Sequence, residues 1–447
     1  MAGPSRITSG VLTDAARPLR FRFDGRELQG LTGDTLASAL LANGVRQVAR
    51  SFKYHRPRGI VAAGAEEPCA LVDVIGARGR EPNQLATTLP LHEGLNAESQ
   101  NRWPTLRFDL RAIADRVAGF LPAGFYYKTF MSPGWAWERV YEPLIRRAAG
   151  LGRLEAVVPP HADPAETVHD HADILVVGAG ACGLAAAQRL AASGLRVILA
   201  EQDAVPGAGT MLDARWSAWR ESVCTALTRL PTVRPLMRTA VLGAYGHGVF
   251  GALETLSPEE RSRFGGLRER LHVIRARRVL LATGALERLI AFPGNDVPGV
   301  MLAGGALAYL KRYGVAVGRR PALFANNDEA YEALFALAGA GVHCAGVIDP
   351  RPDSGAAAHA RALGVAVHGA AMVGAVQGRR AVQAITIAEL DGQRRRFRAC
   401  RSIPRSPRSR PSGKCARRAR RSLTCRTMLP PRMYGSPPAK ATSISST

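Results

Sequence analysis

Apolar and polar positions alternate over residues 19–23 and again over 27–29, with Asp24-Gly25 between them. A period of two around an Asp-Gly pair predicts a β-hairpin. The period then changes. After Gly33-Asp34-Thr35, the leucines at 36, 40 and 41 fall on one face of an amphipathic helix with a polar cap, ending near Asn43-Gly44. Farther along, DILVVGAGACGLAAAQRLAASGLRVILAEQ (173–202) predicts a buried strand at 174–177, a helix at 184–193 and a strand at 196–200. Another buried strand is expected at 279–282, and 321–325, 329–340 and 343–348 read as strand, helix and strand, ending at Asp349. Hairpin and helix followed by βαβ units make the chain an α/β protein.

The first βαβ unit carries chemistry. Its strand runs directly into Gly178-Ala179-Gly180-Ala181-Cys182-Gly183, a GxGxxG between strand and helix. Gly178 permits the tight turn, Gly180 lets backbone approach a pyrophosphate, and Gly183 lets the helix pack close to the strand. The helix N-terminus adds free N–H groups and the positive end of its dipole. Glu201 closes the second strand about twenty residues beyond the glycines, where an acid takes ribose hydroxyls and repels a 2′-phosphate. That combination points to NAD. VPGAGTML then supplies Gly207, Gly209 and Thr210 as a flexible second loop, and the ATG at 282–284 returns the chain beside the cofactor, with Gly284 admitting close approach. The expectation for 172–400 is a Rossmann-type FAD/NAD(P)-binding two-dinucleotide domain. Its second unit, about 315–370, has Asn326-Asn327-Asp328 where glycines would stand. Backbone there stays farther from a phosphate and Asp328 repels it, so this unit is expected to be nucleotide-type in fold and empty of nucleotide.

A chain of 447 residues should hold two or three domains. Residues 1–110 suggest a β-grasp domain, the fold of plant-type ferredoxins. Laying the C-x4-C-x2-C cluster pattern on it, with Cys69 as third ligand, puts the others on Val61, Glu66 and roughly Asn83. One thiolate cannot hold a cluster, so this domain is expected to lack iron. Residues 111–171 read as a connecting segment. Its aromatic run, 120–152, suits core or subunit-interface packing, with flavin stacking the lesser alternative; its Pro- and His-containing end, 157–171, reads as a linker without a metal site. Seven cysteines without a CxxC pair suggest neither zinc nor a disulfide framework. A signal peptide and an apolar run of membrane-spanning length are both missing from the sequence read, which makes a reducing cytoplasm the expectation.

Charge changes the picture only at the end. Net charge is +24, but the 47 residues from Arg401 onward carry ten Arg, two Lys and no acid, half of that excess. This Pro- and Ser-rich stretch, 401–447, has no apolar period and is expected to be a disordered basic tail. A nucleic-acid arm would call for aromatic stacking residues or a folded reader, and neither accompanies it.

The strings GDTLASALLANGV, ARSFKYHRPRGI, QNRWP and PAGFYYKTFM, together with the glycine turn, are more specific than any single motif. With them the chain, over about residues 15–400, resembles the α subunits of heterotetrameric sarcosine oxidases. The α subunits of opine and proline dehydrogenases and of hydrogen cyanide synthase share parts of this layout but generally keep cluster cysteines, so Val61 and Glu66 favour the sarcosine oxidase branch. The resemblance implies an assembly with β, γ and δ subunits. Sarcosine would be oxidised at FAD in the β subunit, electrons would pass to FMN between α and β, and oxygen would be reduced to peroxide. It also implies NAD in the α subunit, held through Gly178, Gly180, Ala181, Gly183, Glu201, Gln202, Thr210 and, more weakly, Val241. An Asp commonly precedes the family's Glu; here it is Ala200, which removes one ribose contact. Lys53, His55, Arg56 and Arg58 could offer charge to the FMN phosphate, or form a solvated basic loop or partner contact. After Cys400 the family's pattern stops, as it would in an out-of-frame reading, so the tetrahydrofolate-binding half is expected to be missing and the chain alone to be inactive. No catalytic constellation is expected in 1–400. The competing readings are a subunit of another amine or opine oxidoreductase, and a non-enzymatic scaffold whose tail binds RNA or membrane.

Overall fold

The computed structural model describes residues 4–76, 79–116, 132–149, 165–391, 394–401 and 444–445. At the N-terminus the hairpin forms as the Asp-Gly pair requires: β1 (Asp14–Phe23) runs antiparallel to β2 (Arg26–Thr32), with Phe23 opposite Arg26. Asp24 and Gly25 both take left-handed φ, 49° and 74°, the turn geometry whose twist matches that of the strands. Helix α1 (Leu36–Ala42) follows, closed by a reciprocal cap in which Thr35 Oγ1 accepts from the Ser38 N–H and Ser38 Oγ from that of Thr35.

A short ladder, β3 (Ala49–Arg50) with β4 (Pro57–Arg58), precedes β5 (Leu71–Gly76), β6 (Gly79–Leu85) and β7 (Asn96–Ser99). The sheet order is β2-β1-β7-β5-β6, with β1 and β7 parallel neighbours. That is the β-grasp arrangement. Helix α1, expected to be amphipathic, is buried at every residue. The reason lies far away in sequence: the cluster that contains Phe21, Leu40 and Val72 also contains Ala308, Tyr309, Tyr313 and Val315. Residues from the second half of the chain thus complete the core of the first domain.

Helix α2 (Glu142–Ala149) belongs to the aromatic stretch, where Trp135 and Leu144 are exposed rather than in a core. Residues 117–131 and 150–164, with the rest of that stretch and the start of the supposed linker, lie outside the described residues. Residues 165–171 are not a linker. They form the first half of β8 (Ala165–Val177), which pairs in parallel along its length with β13 (Glu269–Leu281). The hydrophobic pattern missed this because the inward positions are Asp170 and Ala172. Asp170 is paired with Arg234 and with His272 at 2.9 Å, which makes its burial tolerable.

After β8 come α3 (Ala181–Ala192), β9 (Val197–Ala200), α4 (Ser217–Thr228), β10 (Val233–Leu236), β11 (Thr239–Tyr245), β12 (Val249–Thr255) and α5 (Pro258–Arg263). Strands β10, β9, β8 and β13 lie side by side in parallel, and β13, β12 and β11 continue as an antiparallel meander. Leu184, Ala187, Val223 and Leu227 of the two helices pack on Val176, Val197 and Leu199. The other face gathers Leu175, Ile198, Ala252 and Ile274. Helix α6 (Ala303–Tyr313) leads to a second parallel unit: β14 (Ala322–Phe324), α7 (Ala330–Gly339), β15 (Gly346–Ile348), α8 (Gly355–Ala362) and β16 (Val367–His368). Strands β17 (Ala371–Gly378), β18 (Val382–Asp391) and β19 (Arg394–Arg401) form an antiparallel sheet. Of the basic tail, Arg401 ends β19 and β20 (Ile444–Ser445) pairs with β13; the remainder lies outside the described residues. Among the described residues, no helix is long and apolar enough to cross a membrane, and no group of three or more His, Cys, Asp or Glu is arranged to hold a metal ion.

Candidate nucleotide-binding site

The three glycines of the turn differ in what demands them. Gly178 has φ 98°, and a Cβ there would stand 2.4 Å from the Ala282 carbonyl oxygen. At Gly183 a Cβ would lie 1.8 Å from the Gly178 carbonyl oxygen, so the close seating of α3 on the strand needs glycine. Around Gly180 a Cβ would meet nothing within 4 Å. The protein's own packing therefore leaves Gly180 unexplained, and the open space beside it is where an outside group can approach the backbone. Gly180 caps α3 without a side-chain hydrogen bond, so the helix's first N–H groups are not consumed by a cap. Ala181 is half-buried at the start of the helix.

Glu201 reaches back to this turn. Its Oε2 accepts from the Ala179 N–H at 2.6 Å and its Oε1 from the Asp203 N–H at 2.9 Å. A carboxylate offers about four lone-pair sites, so capacity remains for hydroxyl donors. Gly207 donates to the Ala179 carbonyl at 2.8 Å, and buried Thr210 donates its hydroxyl to the Gly207 carbonyl at 2.6 Å, stitching the second loop to the first. Gln202 is exposed beside Glu201. Val241, on β11, is partly buried against the cluster of Ala200 and Leu236. Ala282 donates to the Val177 carbonyl at 2.8 Å, which brings exposed Gly284, φ 70°, to the same end of the sheet. Leu281 and Leu286 flank it with 56% and 73% of their surface exposed.

Three residues at this end gave no signal in the sequence. Arg312 pairs with Asp203 at 2.9 Å, and Arg220 lays its stem over Gly207 and reaches the Pro206 carbonyl at 3.4 Å. The Nε atoms of both arginines are buried without a hydrogen-bond partner. Two guanidinium groups thus flank the loop that a phosphate would approach.

The second unit is closed by its own side chains. Arg351 bridges Asp328 and Asp349, 2.8 Å from each. Tyr331 donates to Asp349 at 2.8 Å, and burial followed by that carboxylate pushes its hydroxyl up to about 12. Burial opposes the charge on Asp349, but Arg351 outweighs it and holds the carboxyl below its ordinary value. Asn327 Oδ1 accepts from the N–H of Ala330, the first residue of the following helix, at 3.0 Å. The basic loop is likewise spent internally: His55 pairs with buried Asp109 at 2.8 Å, Arg56 with Asp115 at 2.6 Å, and Arg58 with Asp296. Lys53 lies over the Tyr54 ring, 4.9 Å from its centroid.

Two family models match the chain: a 2Fe-2S iron-sulfur cluster binding domain over residues 16–102, and a pyridine nucleotide-disulphide oxidoreductase domain over 172–319. Sarcosine oxidase subunit alpha of Rhizobium meliloti (strain 1021) is 50% identical over 358 residues, 78% of this chain and 36% of that protein. The subunit of the same name from Corynebacterium sp. (strain P-1) is 35% identical over 89% of this chain and 38% of its own length. The chain thus spans little more than a third of these relatives. In fold it is similar to L-proline dehydrogenase from P. horikoshii, with a TM-score of 0.54 at 20% identity over 86% of this chain and 58% of that one. The cluster implied by the first model does not fit the residues present. Val61 and Glu66 hold the positions where two thiolates would have to accompany Cys69, and the carboxylate of Glu67 accepts from N–H groups at both ends of the loop. In sequence, over most of its length, the chain is related to the α subunits of sarcosine oxidases.

Proposed function

We propose that this chain is the dinucleotide-binding part of an α-type subunit in an amine-oxidising flavoenzyme, and that the turn at 178–183 holds NAD. The observation that carries this reading is the open space at Gly180, facing an uncapped helix N-terminus and lying next to Glu201. Packing requires Gly178 and Gly183 but not Gly180; an approaching pyrophosphate supplies the missing reason. The N–H groups at the start of α3 bind the phosphates, with Arg220 and Arg312 adding positive charge nearby. Glu201 accepts from the adenosine ribose and repels a 2′-phosphate, which selects NAD over NADP. Thr210 and Gln202 border the ribose side, and Gly284 with Leu281 and Leu286 offers the neighbouring edge. Bound NAD supplies a nicotinamide able to exchange hydride; the chain's own residues anchor and orient it.

On the same reading, the amine is sarcosine, converted to glycine with peroxide and either formaldehyde or methylenetetrahydrofolate. Oxidation belongs to FAD on the β subunit and oxygen reduction to FMN between α and β, with γ and δ completing the assembly. The paired state of His55, Arg56 and Arg58 favours a structural or partner-contact role for that loop over a phosphate-binding one. Calorimetric titration of the purified chain with NAD, NADP and FAD tests the assignment. NAD should bind with clear preference. Equal affinity for NADP, or preferential FAD binding that Gly180→Val abolishes, would overturn the cofactor while leaving the fold intact.

A further inference from the structure

Residues 61–70 occupy the place where the β-grasp domain of a ferredoxin would wrap a cluster. In this structure Glu67, 5% exposed, sits inside that loop. Its Oε2 accepts from the N–H groups of Val61 and Ala62, both at 2.6 Å, and its Oε1 from those of Cys69 at 2.7 Å and Ala70 at 3.0 Å. Four donors fill the capacity of one carboxylate. The charge is held by backbone amides, and among the described residues no guanidinium or ammonium pairs with it. Downstream, the chain touching this loop is Ala86, which donates to the Ala70 carbonyl at 3.0 Å, and Thr87, whose hydroxyl donates to Gly64 at 2.7 Å. Asn83, expected at the fourth ligand position, instead accepts from Gln100 at 3.1 Å.

The loop is also tied to the other half of the chain. Val61 accepts from the Leu302 N–H at 2.8 Å, and Ala62 from the hydroxyl of fully buried Tyr309 at 2.9 Å. A Cβ on Gly305 would stand 3.3 Å from the Ala62 Cα, so α6 lies directly on this backbone. Cys69 and Leu289 pack around Val61, Ala62 and Leu302. At the same end of α6, Glu287 accepts from the N–H groups of Ala303 at 3.0 Å and Gly304 at 2.7 Å. Glu287 lies three residues beyond Gly284. Two of the four residues whose N–H groups Glu67 holds, Val61 and Ala62, therefore present their carbonyls to α6 and its N-cap, and the N-terminus of α6 in turn holds the arm beside the glycine turn.

We infer that Glu67 replaces an iron–sulfur cluster as the anion that orders this loop, and that the ordered loop is the strut fixing α6 and the 283–287 arm against the β-grasp domain. A cluster and a carboxylate share the feature that matters here: each is a buried negative centre able to gather loop N–H groups. Removing the carboxylate leaves four donors without an acceptor in a buried loop, which releases the loop rather than merely weakening it. The inference stands independently of whether the turn at 178–183 holds NAD.

Hydrogen–deuterium exchange read by mass spectrometry on the full chain tests it, comparing wild type with Glu67→Gln and Glu66→Gln. Glutamine keeps the volume but turns an NH2 toward two N–H donors. Glu67→Gln should accelerate exchange at least tenfold at 61–62 or 69–70 and also at 302–304, while Leu175 and Val176 keep their protection. Glu66→Gln, changing the exposed neighbouring acid, should alter none of these. Unchanged exchange in Glu67→Gln, acceleration confined to the loop, or acceleration spread equally to β8 would each overturn the strut. Anaerobic reconstitution of wild type with ferrous iron and sulfide should give no stoichiometric iron; stoichiometric iron lost on Cys69→Ser would overturn the replacement.

Discussion

Replacing Gly183 and Gly180 separately by alanine should separate packing from binding. At Gly183 the new methyl would lie 1.8 Å from the Gly178 carbonyl oxygen and 2.9 Å from its carbon. Neither atom belongs to a flexible side chain, so relief requires moving α3 away from β8. Overpacking of this kind costs about 1–3 kcal/mol, and the contact belongs at the upper end. Alanine returns about 1 kcal/mol in helix propensity, leaving a net loss of about 2 kcal/mol, or about 4–8 °C in melting temperature for a domain of this size. At Gly180 the same methyl meets nothing within 4 Å and φ is an ordinary −69°. Only the N-cap preference is lost, about 0.5–1 kcal/mol. Thermal unfolding with and without NAD measures both. Gly183→Ala should melt earlier in both conditions; Gly180→Ala should melt close to wild type but lose the stabilisation NAD gives. A Gly183→Ala protein as stable as wild type would refute the close helix–strand contact. Full NAD stabilisation in Gly180→Ala would refute backbone approach at that position.

Glu201→Ala should weaken NAD by about 1–3 kcal/mol, the range for charge-assisted hydrogen bonds, and narrow the gap to NADP; calorimetry on both nucleotides checks it. Buried His272 lies 2.9 Å from both Asp170 and Glu254. Burial opposes its charge, but the two carboxylates outweigh burial and raise its pKa above 6.5, while Glu254, despite burial, is lowered below 4.5 by His272 and Arg270. The His272 contribution to stability is complete below 6.5 and lost as pH rises through the raised value; that of Glu254 is present above 4.5 and lost as pH falls through the lowered one. Urea unfolding across pH should therefore show a decline on the alkaline side that flattens in His272→Gln. His55→Ala removes the 2.8 Å partner of Asp109, a side chain with no exposed surface. About 1–3 kcal/mol of stability should be lost, with faster proteolysis after Arg56.

What the sequence made legible is what short-range patterns encode. The Asp24-Gly25 hairpin, the Thr35 cap and the strand–turn–helix at 174–192 each rest on residues within a few positions of one another. Long-range solutions were hidden. The first half of β8 buries Asp170 rather than an apolar side chain, and its partners Arg234 and His272 are 64 and 102 residues away. Helix α1 carries too many small residues for a half-exposed helix, yet nothing local says that Tyr309 and Tyr313 cover it. In AGAEEPC nothing distinguishes Glu67, which turns inward, from Glu66, which stays out. Spacing alone puts the fourth cluster position near Asn83, and the register shift between Val72 and Val74 is invisible to spacing. At the nucleotide turn, the glycines and Glu201 were readable because the motif is local; Arg220 and Arg312 were not, because they arrive from separate helices.

On the proposed reading, the first nucleotide-type unit is open to NAD and the second is closed by Arg351. Amide exchange of the full chain with and without saturating NAD tests it most directly. NAD should slow exchange across 179–184 and at 283–286 and leave 326–330 unchanged. Protection at 326–330, or none at 179–184, would contradict the account.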